Sequence, residues 1–378
     1  MNAWVPRVVV ACLAGVAGLH PTTVSGTQDR GPVAAAPTSL AERLKAVRAA
    51  ADLPAIGGAT FRSTGVLEVA VAGVRRLGDP IEVTTGDLWH IGSITKSFTS
   101  TLIGKSTERK DLSWTSTLGE LLGQRAGKYA PVTLVDLLSH RAGLPANIPA
   151  ALSVEAVTMS PITAARKLLV DRILQGDPAS GPGEQYLYSN IGYVIAGAVL
   201  EAKTGKSWED LVQAEVIAPL KLSSVGFGAP GPPGAVLQPR GHRQPLTPGS
   251  KLIPIEPPLA DNPAYLGPAG TMHMTVGDLA RWGQEHLRGE RGVDGLLRGA
   301  TFRRLHAPPR PEATYALGWA VRREGDRRTI WHNGSNTLWY AIVAFDAEAD
   351  LGVVIVTNGS INAGKAIDAA AAEFLKKG

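Results

Sequence analysis

Cysteine is nearly absent from the 378-residue sequence. The single one, Cys12, lies inside an apolar run near the N-terminus, so a chain cleaved after that run would contain none. This excludes disulfides and a thiol nucleophile from the remaining chain. Apolar residues continue beyond Cys12, which also argues against a lipid anchor at this position.

Long hydrophobic runs are equally scarce. The only one, Val8 to Leu19, follows Arg7 and precedes the small residues Val24-Ser25-Gly26. A run of this length is typical of an export signal and is too short to span a bilayer. We therefore predict a signal peptide over 1–26, a linker over 27–37 and a periplasmic or secreted protein without stable membrane insertion. The alternative is an uncleaved membrane anchor.

The sequence also lacks the patterns of several large enzyme classes. The net charge is +5, with lysine and arginine scattered among acids, so no nucleic-acid partner is expected. The histidines lack metal-ligand spacing, and neither a phosphate-binding nor a dinucleotide-binding glycine pattern occurs. No Gly-x-Ser-x-Gly elbow is present. These observations predict neither a metal nor a cofactor.

Hydrophobic periodicity predicts strands near both ends of the chain and helices between them. The predicted strands are 55–62, 66–74, 315–323, 329–332, 339–345 and 352–357, and the main predicted helices begin near 39, 93, 133, 190, 207 and 363. The helix beginning at Thr133 is expected to end near Gly143. The Pro/Gly-rich stretch 226–270 is predicted to be a functional surface loop. The fold class is therefore α+β, with an antiparallel sheet from the N- and C-terminal segments, flanked by helices and interrupted by a helical insertion at about 106–310.

Ser93 and Lys96 are one helical turn apart at the predicted start of a helix. This spacing places both side chains on one face, where a lysine can assist a serine hydroxyl. The helix N-terminus also offers free N–H groups to a developing oxyanion. About 0.7 such pairs are expected by chance, however, and serine is a common N-cap.

Tyr188 and Asn190 directly precede the strongest helical pattern. A phenol close to a lysine can titrate low enough to take a proton from a serine hydroxyl, and an asparagine amide can hold a substrate carbonyl or the lysine. Only about 0.15 Tyr-x-Asn triplets are expected by chance, and the sequence contains a single one, at 188–190. Helix capping by Ser189 or Asn190 is compatible with such a role.

His332, Gly334 and Ser335 lie at the end of a predicted strand. Glycine would allow a substrate backbone to approach, and the Ser335 N–H could complete an oxyanion hole. His332 could instead be an ordinary strand residue.

The order Ser-x-x-Lys, Tyr-x-Asn, His-x-Gly resembles the penicillin-recognising serine hydrolases, in particular the class C β-lactamase family with its D-alanyl-D-alanine carboxypeptidases and esterases. The similarity runs from about residue 40 to the C-terminus and includes stretches 73–75, 88–92, 137–145, 267–270, 278–282 and 317–319. It implies a β-lactamase/transpeptidase-like fold for residues 38–378.

The resemblance also implies roles for individual residues. Ser93 would be the nucleophile, and Lys96 and Tyr188 would share general acid/base work. Asn190 would orient the substrate, and His332 would stand on the edge strand. The N–H groups of Ser93 and Ser335, beside Gly334, would form the oxyanion hole.

One departure from the family affects the expected substrate. Most class C β-lactamases have lysine at the position of His332, and a neutral imidazole offers less charge to a substrate carboxylate. We therefore expect an acyl-enzyme hydrolase of peptides, amides or esters, with D-alanyl peptides of the cell wall as one substrate class. The alternatives are an esterase, a weak β-lactamase, or a penicillin-binding sensor without turnover.

Overall fold

A computed structural model describes residues 39–376 apart from Pro248, Pro258 and Asp326. The predicted signal (1–26) and linker (27–37) lie outside the described residues. The strands are β1 (Ala55–Arg62), β2 (Gly65–Gly73), β3 (Trp89–His90), β4 (Gly226–Phe227), β5 (His242–Arg243), β6 (Ile253–Pro254), β7 (Met272–Met274), β8 (Ala320–Glu324), β9 (Arg327–Ser335), β10 (Tyr340–Asp346) and β11 (Leu351–Thr357).

The helices alternate with irregular segments in the middle of the chain. They are α1 (Leu40–Ala50), α2 (Thr95–Glu108), α3 (Leu118–Leu122), α4 (Leu134–Leu138), α5 (Ala150–Val157), α6 (Ile162–Ile173), α7 (Asn190–Thr204), α8 (Trp208–Val212), α9 (Ala218–Leu220), α10 (Gly267–Gly270), α11 (Val276–Glu290), α12 (Gly299–Leu305) and α13 (Gly364–Lys376). In the described part of the chain, no helix has the length and apolar character needed to cross a membrane.

The main sheet is antiparallel and has the strand order β2-β1-β11-β10-β9-β8. β1 pairs with β11 in a register that joins Ile56 to Thr357, so the two ends of the chain meet in the middle of the sheet. This confirms the predicted α+β sheet built from N- and C-terminal segments.

Helices cover both faces of the sheet. On one face, α1 and α13 pack around Leu44, Ile355 and Phe374. The other face supports a larger core that includes α2, α7 and α11. Because apolar side chains meet both faces, every residue of β10 and β11 is buried. The 106–310 bounds of the helical insertion stay a prediction.

The helix that begins after Thr133 is shorter than expected. Thr133 and Asp136 form a capping box, but α4 ends at Leu138 rather than near Gly143. His140 has a φ of 59°, a left-handed conformation that an α-helix cannot contain. The chain reverses at this histidine and directs it into the interior.

The strand predicted over 315–323 begins only at Ala320. Gly318, with a φ of 82°, makes a tight turn in which the Ala316 N–H donates to the Trp319 carbonyl over 2.7 Å. Glycine adopts this conformation without steric cost. Tyr315 therefore lies outside the strand, next to the site described below.

Helix α7 begins at residue 190, as predicted. Ser189 is its N-cap and accepts a hydrogen bond from the Gly192 N–H over 3.4 Å. Gly205 ends it with a φ of 70°, the usual left-handed terminator. The capping fixes the position of Asn190, the first residue of the helix.

Candidate active site

Ser93 lies in one turn of 3-10 helix, Gly92–Ile94, that leads directly into α2. The sequence predicted a helix beginning at Ser93, and the regular α-helix begins two residues later. Gly92 has a φ of 48°, and a Cβ on it would come within 2.3 Å of the Ser335 backbone nitrogen. A glycine is thus required for the serine turn to lie against the end of β9.

Lys96 is fully buried, with none of its surface exposed. Its Nζ lies 3.0 Å from the Ser93 Oγ, 2.8 Å from the Asn190 Oδ1 and 2.8 Å from the Ala269 carbonyl oxygen. An isolated buried ammonium would be costly, and these acceptors compensate for the lost water. The contacts hold the amine against the serine hydroxyl.

Asn190 and Tyr188 reach the same place from the N-terminus of α7. The Asn190 Nδ2 donates to the Asn147 Oδ1 over 2.9 Å, which orients the amide with its oxygen toward Lys96. The Tyr188 ring centroid lies 5.0 Å from the Lys96 Nζ. The structure therefore brings together the four side chains predicted as nucleophile, acid/base pair and substrate-orienting amide.

His332 is buried, and both of its ring nitrogens have partners. The Tyr315 hydroxyl lies 2.8 Å from Nε2, and the Asn333 carbonyl oxygen lies 2.5 Å from Nδ1. Since a carbonyl only accepts, Nδ1 carries the proton and Nε2 accepts from Tyr315. Burial, reinforced by the positive charge of Lys96, lowers the pKa of His332 to about 3. The imidazole is therefore neutral.

The expected position of His332 on the edge strand is wrong, because β8 forms that edge of the sheet. The β8–β9 pairing stops at Trp331, however, so the residues from His332 onward extend past the end of β8. This final part of β9 lies against the serine turn instead. A Cβ on Gly334 would lie 2.6 Å from the Ser93 backbone nitrogen and 2.0 Å from the Ile91 carbonyl oxygen.

Sequence reasoning gave no role to two residues that help to build the site. Tyr315 bonds to His332, and burial is the main cause that raises its own pKa well above the usual range. His140 packs on the Tyr188 ring at 4.1 Å between centroids, and its Nδ1 accepts the Ser189 N–H over 3.1 Å. Only two sequence signals point to these residues. The family-like stretch 137–145 contains His140, and the family-like stretch 317–319 follows Tyr315.

Burial, reinforced by the positive charge of Lys96, keeps the pKa of His140 well below its normal value. The neutral ring and its bond to the Ser189 amide support the segment that carries Tyr188. Chemically, the site combines a serine hydroxyl, a buried amine and a phenol beside converging backbone amides. This set of groups is suited to attack on a carbonyl carbon. Within the described residues, no cluster of three or more His, Cys, Asp or Glu could hold a metal ion.

Comparisons with known proteins agree with this architecture. The family model described as Beta-lactamase matches residues 40–376. The unguisins hydrolase ungD of Aspergillus violaceofuscus is 25% identical over 319 residues, which cover 76% of this chain and 55% of that protein. The D-alanyl-D-alanine-carboxypeptidase/endopeptidase AmpH of Escherichia coli is 23% identical over 310 residues, covering 76% of this chain and 75% of the relative.

Among solved structures, the octameric penicillin-binding protein homologue from Pyrococcus abyssi superimposes with a TM-score of 0.72. It is 21% identical, and the match covers 90% of this chain and 78% of the other. This likeness supports the fold. The chain spans only about half the length of several curated relatives that it matches, among them the fungal hydrolase.

Proposed function

The chain belongs to the beta-lactamase family, whose members are serine hydrolases, and we propose that it hydrolyses an amide or ester bond through an acyl-enzyme on Ser93. The observation that carries this proposal is the contact of the buried Lys96 Nζ with the Ser93 Oγ, 3.0 Å apart. A lysine held in this way can activate an adjacent hydroxyl, which is otherwise a weak nucleophile at neutral pH.

In the first half of the reaction, the Ser93 Oγ forms a bond to the substrate carbonyl carbon as its proton leaves. A neutral Lys96 could take that proton while still donating to Asn190 and to the Ala269 carbonyl. A protonated Lys96 would instead leave this task to Tyr188, which would have to be ionised to the phenolate to take the proton. The leaving amine or alcohol then departs with a proton, and the acyl group stays on Ser93.

In the second half, a water molecule attacks the acyl carbon and the bond to the Ser93 Oγ breaks, which restores the hydroxyl. Both halves pass through a tetrahedral oxyanion. We assign its stabilisation to the backbone N–H groups of Ser93 and Ser335, since the serine turn and the end of β9 are in contact. Preorganised donors of this kind are commonly the largest single source of acceleration.

Two observations, the state of His332 and the activity named for one relative, support our proposal for the substrate class. A neutral imidazole that is bonded to Tyr315 supplies no fixed positive charge, which disfavours efficient turnover of β-lactams. The D-alanyl-D-alanine activity named for AmpH suggests D-alanyl peptides of the cell wall. Simple esters are the alternative. We also propose that the reaction takes place outside the cytoplasm, because residues 1–26 have the pattern of an export signal.

A fluorescent penicillin tests the acyl-enzyme directly. We expect the wild type and the surface variant Ser113→Ala to be labelled on the peptide that contains Ser93, and Ser93→Ala to remain unlabelled. Turnover of a chromogenic ester, a cephalosporin and a D-alanyl-D-alanine peptide would then identify the substrate class. Labelling without any turnover would indicate a sensor. Full activity of Ser93→Ala on every substrate would contradict the proposal.

A further inference from the structure

The serine turn is preceded by a histidine that the mechanism above does not use. His90 ends β3 and is completely buried. Its Nδ1 accepts a hydrogen bond from the Gly92 N–H over 3.1 Å, so the ring proton must be on Nε2. Nε2 lies 2.6 Å from the Asp261 Oδ1, and His90 therefore donates to this carboxylate. One side chain thus links Asp261 to the residue before the nucleophile.

The same carboxylate oxygen also contacts the other side of the site. Asp261 Oδ1 lies 3.5 Å from the Nδ2 of Asn336, which donates at 2.9 Å to the Ala260 carbonyl oxygen. Asn336 directly follows Ser335. Asp261 therefore contacts Asn336 directly and Gly92 through His90, and these two residues adjoin the Ser335 and Ser93 amides that we assign to the oxyanion. It belongs to the irregular stretch 226–270, whose role in the site the sequence left open.

The contacts around the turn leave little room for movement. The close approach of Gly92 to the Ser335 nitrogen, described above, means that a small shift of the turn changes the separation of the two amides. The Gly92 N–H bond to His90 opposes such a shift. Because the bond from His90 to Asp261 is charge-assisted, it fixes the imidazole more firmly than a neutral partner would.

We propose that Asp261, acting through His90, is a positioning residue for the Ser93 turn. This inference rests on the acyl-enzyme proposed above and adds a residue to it. The carboxylate holds the imidazole, the imidazole holds the Gly92 amide, and the turn then presents the Ser93 amide to the oxyanion. Through Asp261, the stretch 226–270 is therefore connected by hydrogen bonds to the turn that carries Ser93.

The test compares the acylation rate constant of Asp261→Ala with that of the wild type, on whichever ester or penicillin labels Ser93. We expect the acylation rate constant to fall by about 10- to 100-fold. This loss is smaller than the roughly 10²–10³-fold loss of rate that follows removal of a whole oxyanion donor. Substrate Kd should change by less than about twofold, because aligned donors favour the tetrahedral state over the ground state. Affinity for a boronic acid that adds to Ser93 should fall by about the same factor as the rate.

Two further variants separate positioning from general stability. Asp261→Asn keeps an acceptor for His90 and should recover acylation to within about fivefold of the wild type. Glu290→Gln is the matched control, because Glu290, like Asp261, bonds to a buried histidine. Its Oε2 lies 2.7 Å from the Nδ1 of His306. This variant should lower thermal stability without changing acylation. Acylation of Asp261→Ala at the wild-type rate, or an equal loss in Asp261→Asn, would overturn the proposal.

Hydrogen exchange gives a readout that needs no substrate. The Gly92 amide, which donates to His90, should exchange at least about tenfold faster in Asp261→Ala, while amides of β10 and β11 keep their protection. An unchanged Gly92 amide would refute the positioning role. If wild-type Ser93 is never acylated, the proposed function fails, and exchange still decides whether Asp261 holds the turn.

Discussion

Gly334 lies where β9 and the serine turn come closest. A methyl group there would lie 2.0 Å from the Ile91 carbonyl oxygen and would push the strand away from the Ser93 amide. We expect Gly334→Ala to lower kcat/KM by about 10²–10³, the cost of losing one oxyanion donor. Gly65→Ala is the control, because a Cβ at Gly65 would contact nothing within 4 Å. Steady-state kinetics of both variants test this, and a Gly334→Ala enzyme with near wild-type activity would contradict the assigned oxyanion site.

At the level of single residues, the sequence predicts which side chains come together in the site, but it does not predict every hydrogen bond that they form. Ser93, Lys96 and Asn190 form the expected contacts, since their helical positions follow from local spacing. The partner of His332 could not be foreseen. Tyr315 reaches it through a turn at Gly318, and a strand was predicted there because the same residues have high β-propensity.

Arg166 connects three helices and the segment before α10. Its guanidinium is fully buried and donates to Glu201 on α7, at 2.5 Å, and to Glu209 on α8. It also donates to the Tyr265 carbonyl oxygen over 3.2 Å. The bonds hold α6 against α7, whose first turn carries Asn190.

We expect Arg166→Ala to cost about 3–5 kcal/mol in the free energy of unfolding, because it leaves the buried Glu201 carboxylate poorly paired beside the partly exposed Glu209. The neighbouring Lys167 makes an exposed i,i+4 pair with Asp171, and Lys167→Ala should cost less than about 0.5 kcal/mol. Urea denaturation of the two variants checks the difference. Similar midpoints for both would show that the buried cluster contributes little.

Element boundaries were predictable where local chemistry decides them. The α7 bounds follow from the Ser189 cap and Gly205, and β1 and β11 follow from continuous apolar runs. The end of α4 could not be read from the sequence, because the left-handed conformation of His140 is imposed by its contacts with Tyr188 and the Ser189 amide. Tertiary contacts overrode the local helical pattern.

For the whole molecule, several buried histidines predict sensitivity to mild acid. Burial is the main cause that lowers the pKa of His332 to about 3 and that of His242 to about 4. Between those values and the usual 6.5, the unfolded chain binds protons that the folded chain cannot. The contribution of these histidines to the free energy of unfolding is therefore fully present above pH 6.5. The free energy of unfolding decreases as the pH falls below that value, by about 1.4 kcal/mol per pH unit for each such histidine.

His242 offers a clean test because its ring bonds to Leu77 and Asn358, neither of which has a role in the proposed reaction. Its Nε2 accepts the Leu77 N–H over 3.1 Å, which a glutamine oxygen can imitate. Between pH 7 and pH 5, His242→Gln should lose about 2 kcal/mol less stability than the wild type. Urea midpoints at the two pH values measure this. Parallel losses in the two proteins would mean that His242 is not held neutral in the fold.

The pairing of β1 with β11 has a consequence for how the chain folds. Ile56 and Thr357 are partners in the ladder, so the centre of the sheet closes a loop of about 300 residues. During synthesis, β1 has no neighbour on this side until β11, about 300 residues later, has been made. Such distant contacts make folding slow, and the core between the two strands cannot assemble before β11 has been made.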